Sequence, residues 1–106
     1  MSKTERIPQL NDQCRTTLSG CRMMITQGVA ALDQTDAVLQ AVRDFNTFNA
    51  DNDPFGEHDF GSFAFAGHQL FWKFDYYDTD MQMASLDPSD DTITVRVLTI
   101  MLAEEY

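Results

Sequence analysis

Basic residues are scarce in this chain. Seven lysines and arginines face seventeen acids, thirteen Asp and four Glu, giving a formal net charge of −10. Proteins that hold a phosphate backbone do so with cations that displace its counterions, so direct nucleic-acid binding is not expected. Cysteine is nearly missing as well. Cys14 and Cys21 are too few for a disulfide scaffold, and free thiols are expected. No long hydrophobic run occurs. The longest, Val97 to Ala103, is interrupted by Thr99 and falls well short of the roughly 20 apolar residues that cross a bilayer. Met1 to Arg6 is polar, with no apolar core leading to a small-residue cleavage site, so no export signal is read and the cytoplasm is the expected compartment. Five glycines and three prolines provide no flexible linker, and no repeat or low-complexity tract is visible.

Short catalytic motifs are missing too. There is no GxSxG elbow, P-loop, GxGxxG or HExxH, and Cys14 and Cys21 have no evident activating base. A composition 43% hydrophobic and 23% charged is nevertheless that of a folding chain, and 106 residues fit one domain. The expected unit is therefore 1–106, with 1–8 flexible.

Charge and aromatics are unevenly spread. Up to Arg43 there are five bases and four acids; beyond it, two bases and thirteen acids. Eleven of the twelve aromatics fall between Phe45 and Tyr77. A region rich in both core and acid suggests strands that bury one side chain and expose the next.

Helical composition runs from about Gln9 to Leu18, with Gly20 as a C-terminal stop. Arg22 to Gln27 suits a short strand whose partner cannot be read. Asp33 to Phe48 is the clearest helix: Asp33 or Thr35 can cap it, and Val38, Val42 and Phe45 share one face. Asn49 to Asp59 is turn-forming. From Phe60 the period becomes two. Phe63 and Phe65 lie on one face, Ala66-Gly67-His68 turns, and Leu70, Trp72, Phe74 and Tyr76 alternate with Phe71, Lys73, Asp75 and Tyr77, predicting a β-hairpin. Met81 to Ser85 is expected to return as a third antiparallel strand.

The C-terminal segment carries opposed signals. Thr92 to Val97 is rich in β-branched residues, but Asp87-Pro88 opens like a helix and apolar residues continue to Leu102 at helical spacing. The start signals and the longer apolar period predict a helix over 92–105, although Glu104 and Glu105 oppose its dipole. The expected fold is α+β: an antiparallel β-meander of three to four strands packed with about three helices.

Asp51, Asp53, Glu57, His58 and Asp59 form an oxygen-rich set that suits a hard cation, with His58 admitting a transition metal. An EF-hand register from Asp51 fails, because Phe55 takes the fifth position and Ser62 the twelfth. His58, between Glu57 and Asp59, has carboxylates to orient it as a general base, but no nucleophile accompanies it. The expectation is a loop whose Asp and Asn side chains satisfy backbone donors, with no metal and no cofactor. Phe71, Trp72, Tyr76 and Tyr77 are residue types on which single-strand binders stack bases, yet Lys73 is the sole base from Asp44 to Asp91, so core packing is the better reading.

Asn52-Asp-Pro-Phe-Gly-Glu-His-Asp-Phe-Gly61, Phe71-Trp-Lys-Phe-Asp-Tyr-Tyr-Asp78 and Arg96-Val-Leu-Thr-Ile-Met-Leu-Ala-Glu-Glu-Tyr106 together resemble a bacterial family catalogued as domain of unknown function 3768. The resemblance runs from about Asn11 to the C-terminus and includes Thr26-Gln-Gly-Val29. It implies a short intracellular α+β protein, in some members associated with plasmids and other mobile elements. It implies no assigned activity or catalytic residue.

The resulting expectation is a noncatalytic acidic protein that binds a basic protein partner. In its most specific form it is a nucleic-acid mimic of the anti-restriction or anti-CRISPR type, filling the DNA or RNA groove of a defence complex. Alternate residues on a strand face lie about 6.6 Å apart and phosphates about 3.4 Å along the axis, so a carboxylate row has a workable spacing. The acids assigned to this face are Asp51, Asp53, Glu57, Asp59 and Asp75, continued by Asp78, Asp80, Asp87, Asp90 and Asp91. Two alternatives stand beside it: a metal-dependent hydrolase using the Asp51 to Asp59 loop, and an oligomeric or toxin-neutralising subunit. The oligomeric state is not legible.

Overall fold

Ser2 opens the first helix, its hydroxyl accepting the Glu5 amide at 3.3 Å, and α1 runs Lys3–Thr17 in a computed structural model that describes residues 2–106. The helix therefore begins well before Gln9, and residues 3–8 belong to it. Pro8 lies inside the helix and removes the one main-chain bond that would reach the Thr4 carbonyl, while the Ser2 cap and Glu5 support the first turn before it. At the other end Leu18 adopts a left-handed conformation and Gly20 has φ 81°, reversing the chain. The reversal brings Cys21 back to Cys14, Cα to Cα 5.9 Å, and the two are joined as a disulfide. The expectation of free thiols is corrected: seven residues of separation become bonding distance through a turn that no cysteine count reveals.

The short strand β1 (Arg22–Ile25) leads into a one-turn helix, α2 (Gln27–Ala30), and then α3 (Thr35–Asp44). Helix α3 is shorter than the expected Asp33 to Phe48, and no side chain caps its start. Its end is set from outside: Arg15 Nη1 donates to the carbonyls of Val42 and Phe45 at 2.9 and 2.8 Å, satisfying groups that a further turn would use. Phe45 and Phe48 leave the helix and pack edge-on to Trp72.

Strands β2 (Phe60–Phe65) and β3 (His68–Tyr77) form the predicted hairpin, closed by Ala66 and Gly67 with φ of 50° and 80°. Positive φ at both central residues gives the tight reversal that matches strand twist. The segment Met81 to Ser85 is not a third strand; a single bridge links Ala84 to Tyr77, and Met81 is turned to φ 60°.

The third long strand is β4 (Val95–Leu102), in place of the expected helix. Asp87 caps a single turn, accepting the Ser89 amide at 3.1 Å, and the turn does not propagate. A strand between two neighbours with both faces apolar fits a helical repeat as readily as a strand repeat, and here β-branching is the informative signal. Strand order is β1-β4-β3-β2, with β1 parallel to β4 and the other pairs antiparallel. The fold is thus α+β with a mixed sheet, not a purely antiparallel one. A 3₁₀ turn, Ala103–Glu105, follows β4. Glu105 folds back to accept from Thr26 Oγ1 at 2.6 Å and the Gly28 amide at 3.0 Å, which removes the conflict with a helix dipole.

Leu70, Trp72 and Phe74 of β3 and Leu98 and Ile100 of β4 make one sheet face, on which Cys14, Val29, Val38 and Val42 from the helices close the core. Gly61 lies beneath the Trp72 ring, where a Cβ would sit closer than 3.0 Å to the indole nitrogen. On the opposite face the Tyr106 ring stands edge-on to Phe71 at 5.7 Å.

Candidate functional site

Polar chemistry concentrates where α1, the Asn49 to Asp59 loop and the sheet meet. The loop is built by its own side chains. Asn49 Oδ1 accepts the amides of Asp51 and Asn52 at 2.9 and 3.1 Å, Asn52 Oδ1 accepts the Asn49 amide at 2.9 Å, and Asp53 Oδ1 accepts the His58 amide at 3.1 Å. Gly56 and His58 take positive φ, 67° and 53°, and bend the chain toward α1. The expected backbone-satisfying role is therefore present for Asn49, Asn52 and Asp53.

His58 is held on three sides. Its Nδ1 lies 2.9 Å from Asp12 Oδ2, its Nε2 lies 3.5 Å from Asp53 Oδ2, and its ring stacks on Phe48 with centroids 3.8 Å apart and planes 4° from parallel. The orienting carboxylates are thus Asp12 and Asp53, not the adjacent Glu57 and Asp59. Asp12 also meets Arg15 Nη2 at 3.3 Å. Arg15 is buried over Phe48 and Trp72, with its guanidinium carbon 5.5 and 5.2 Å from the ring centroids. Its Nε and the Trp72 Nε1 have no hydrogen-bond partner among the described residues.

Beside this lies a second, deeper network. Asn11 is fully buried; its amide donates to the Glu57 carbonyl at 2.9 Å and the Tyr76 hydroxyl at 2.8 Å, and its oxygen accepts Arg96 Nε at 2.7 Å. Arg96 continues to Asp91 and to the Pro88 carbonyl, and its guanidinium lies over the Tyr76 ring. Burial, with smaller contributions from Glu57 and Asp59, pushes the Tyr76 phenol up to about 12 despite the Asn11 hydrogen bond.

The ten acids assigned to one face divide by role. Asp53 is buried within the loop, where it meets His58. Asp75 pairs with Lys73, Asp87 with Lys3 at 3.0 Å, and Asp91 with Arg96. Asp78 accepts the Gln82 amide at 3.0 Å and Asp90 the Thr92 amide at 2.9 Å. The side chains of Asp51, Glu57, Asp59 and Asp80 bond to no other residue among those described. Burial, with charge repulsion from Asp59 and Asp53, raises the Glu57 carboxyl above its ordinary range. Burial also raises Asp59, where repulsion from Asp53 adds to the shift while its own backbone amide and His58 oppose it.

Among the described residues no group of three or more His, Cys, Asp or Glu side chains is placed to hold a metal ion. Asp51, Asp53, Glu57, His58 and Asp59 are neighbours in sequence, but two of them, Asp53 and His58, are committed to each other and His58 to α1. Among the described residues no helix is long and apolar enough to cross a membrane. An open depression at the start of α3, lined by Asp33, Gln34, Thr35, Asp36 and Ala37, is separate from the cluster in lining residues.

Asn11, Asp12, Arg15 and Arg96 do not stand out in the sequence. Their one legible signal is that few bases occur, so a buried arginine requires a polar partner. The family model described as protein of unknown function (DUF3768) matches residues 25–105. The match begins after the α1 part of the cluster, so the resemblance is narrower than the span from Asn11 onward, and Asn11 to Met24 lies outside it. No curated protein and no solved structure matches the chain.

Proposed function

We propose that this chain, which belongs to the DUF3768 family of proteins of unknown function, is a noncatalytic acidic binding protein whose partner is a basic protein. One observation carries the reading: Glu57 and Asp59 lie beside Asp53 with their carboxyls raised, and the chain supplies neither with an arginine or lysine. Four of the seven bases, Lys3, Arg15, Lys73 and Arg96, are already in ion pairs. A cation from outside would relieve the repulsion, and the −10 field would speed its approach.

The broad form of the reading has the better support. Nucleic-acid mimicry asks for evenly spaced free carboxylates, and Asp75, Asp87 and Asp91 are neutralised within the chain, so the sign of the charge is what favours that narrower form. The test is partner capture at low and high salt with the native chain and with Glu57→Lys/Asp59→Lys. A basic partner retained at low salt, released by salt and lost in the double variant supports the reading. Retention that ignores both salt and the substitutions removes it.

A further inference from the structure

Strand β2 is an edge of the sheet, paired on one side only. Its two-residue turn makes Phe65 and His68 the closing hydrogen-bonded pair, so Gly61, Phe63 and Phe65 direct their main-chain groups to β3. The Asp59 carbonyl, which accepts the Phe74 amide at 2.9 Å, keeps the same phase. Phe60, Ser62 and Ala64 therefore point their N–H and C=O groups away from the sheet, and no other described residue takes them. Edge strands are ordinarily protected by a charge, a proline, a bulge or a covering segment. Phe60-Gly-Ser-Phe-Ala-Phe65 has neither charge nor proline, and its pairing with β3 is continuous over all six residues. The opposite edge, β1, is only four residues long and opens on Arg22.

Glu57 and Asp59, which no lysine or arginine of the chain neutralises, precede this open edge. We propose that β2 accepts an extended segment of the partner as a fifth strand, and that a Lys or Arg at one end of that segment meets Glu57 and Asp59. Main-chain hydrogen bonds from Phe60, Ser62 and Ala64 supply affinity, and the two carboxylates supply charge selection. A second copy of this chain fits less well, since it adds another ten negative charges and brings no lysine or arginine from its own β2 to the acids. The proposal rests on the acidic-binding reading and names the surface and the chemistry of the partner segment.

Three synthetic peptides test it by amide chemical shifts and amide exchange on the labelled chain: Lys-Lys-Thr-Val-Thr-Val-Thr, the same peptide with Glu-Glu in place of Lys-Lys, and Lys-Lys-Pro-Pro-Pro-Pro-Thr, whose consecutive prolines remove the donors on both sides of the strand. The first is expected to shift the amides of Phe60, Ser62 and Ala64, to slow their exchange, and to bind on the order of tenfold more tightly than the second. The third, unable to complete a ladder, leaves those amides unprotected. Ser62→Pro abolishes the effect, as does Ala64→Pro, each accepted as folded when Trp72 fluorescence is unchanged. Glu57→Gln/Asp59→Asn removes the preference for the basic peptide. Equal binding of both Lys-Lys peptides overturns the edge pairing and leaves the acidic reading standing. No binding of either overturns both. Protection of the same amides by self-association, without peptide, overturns the proposed occupant.

Discussion

The side-chain amide of Asn11 donates to the Tyr76 hydroxyl at 2.8 Å, joining α1 to β3 across 65 positions of sequence. The same side chain receives Arg96 Nε from β4, so a single uncharged residue fixes the helix on two strands and holds the 49–59 loop through the Glu57 carbonyl.

Asn11→Ala should cost about 2–4 kcal/mol, because it leaves an arginine Nε, a tyrosine hydroxyl and a main-chain carbonyl short of partners in a buried setting. Urea unfolding measures it. The native chain should also weaken in alkali. The unfolded tyrosine ionises near 10 while Tyr76 in the fold resists to about 12, so stability is lost as pH rises through that interval. Tyr76→Phe should flatten this part of the pH profile.

Gly61 has a steric reason to be glycine. An added methyl would fall closer than 3.0 Å to Trp72 Nε1 and Cε2, and the indole has no exposed side toward which to move. Gly61→Ala should therefore displace the chain's sole tryptophan, costing about 1–3 kcal/mol and altering its fluorescence and near-UV dichroism. Unchanged Trp72 spectra with native stability would contradict the packing described.

Why some of this is legible in the sequence and some is not follows from the kind of interaction involved. The hairpin is readable because period-two alternation from Phe63 to Tyr77 and a Gly67 turn are local signals. Strand β4 is not, because Val95 to Leu102 is buried almost throughout and its partners, β1 and β3, decide what a nearly uniform apolar run becomes. The loop can be recognised as turn-forming from Asn49, Asn52 and Asp53. Its anchors cannot, since Asn11 and Asp12 are each 46 positions from the loop residues they hold. The charge asymmetry is plain, but which carboxylates remain free depends on where Lys3, Lys73 and Arg96 fall in three dimensions.

Two of the carboxylates that remain free make a pH prediction whose sign runs against ordinary acid denaturation. Glu57 and Asp59 hold their protons more tightly in the fold than in the unfolded chain, whose values lie near 4.5 and 3.8. As pH rises through that range the unfolded chain releases protons first, so these two groups reduce native stability above it. Glu57→Gln should raise stability at pH 7 by about 0.5 kcal/mol, the scale of a solvent-screened charge interaction, and have no effect below the range. Thermal unfolding at both pH values checks this. Glu105 acts oppositely: hydrogen bonds from Thr26, Leu102 and Gly28 hold its carboxyl below 4.5, so its support is present above that pH and is lost as pH falls through the lowered value.

The Cys14–Cys21 disulfide offers the last prediction. It ties the final turn of α1 to the residue that enters β1, and Cys14 is itself part of the core. A loop of this length constrains the unfolded chain by about 2.5 kcal/mol in the chain-entropy account. Reduction should then lower the unfolding temperature by on the order of 10 °C. Cys14→Ser should lose more than Cys21→Ser, because it also places a hydroxyl in an apolar, fully buried position. Thiol titration of the native chain under non-reducing conditions should find no free cysteine, and two after reduction. If reduction leaves the unfolding temperature unchanged, the left-handed turn at Leu18 and Gly20 must hold α1 against β1 without the covalent link.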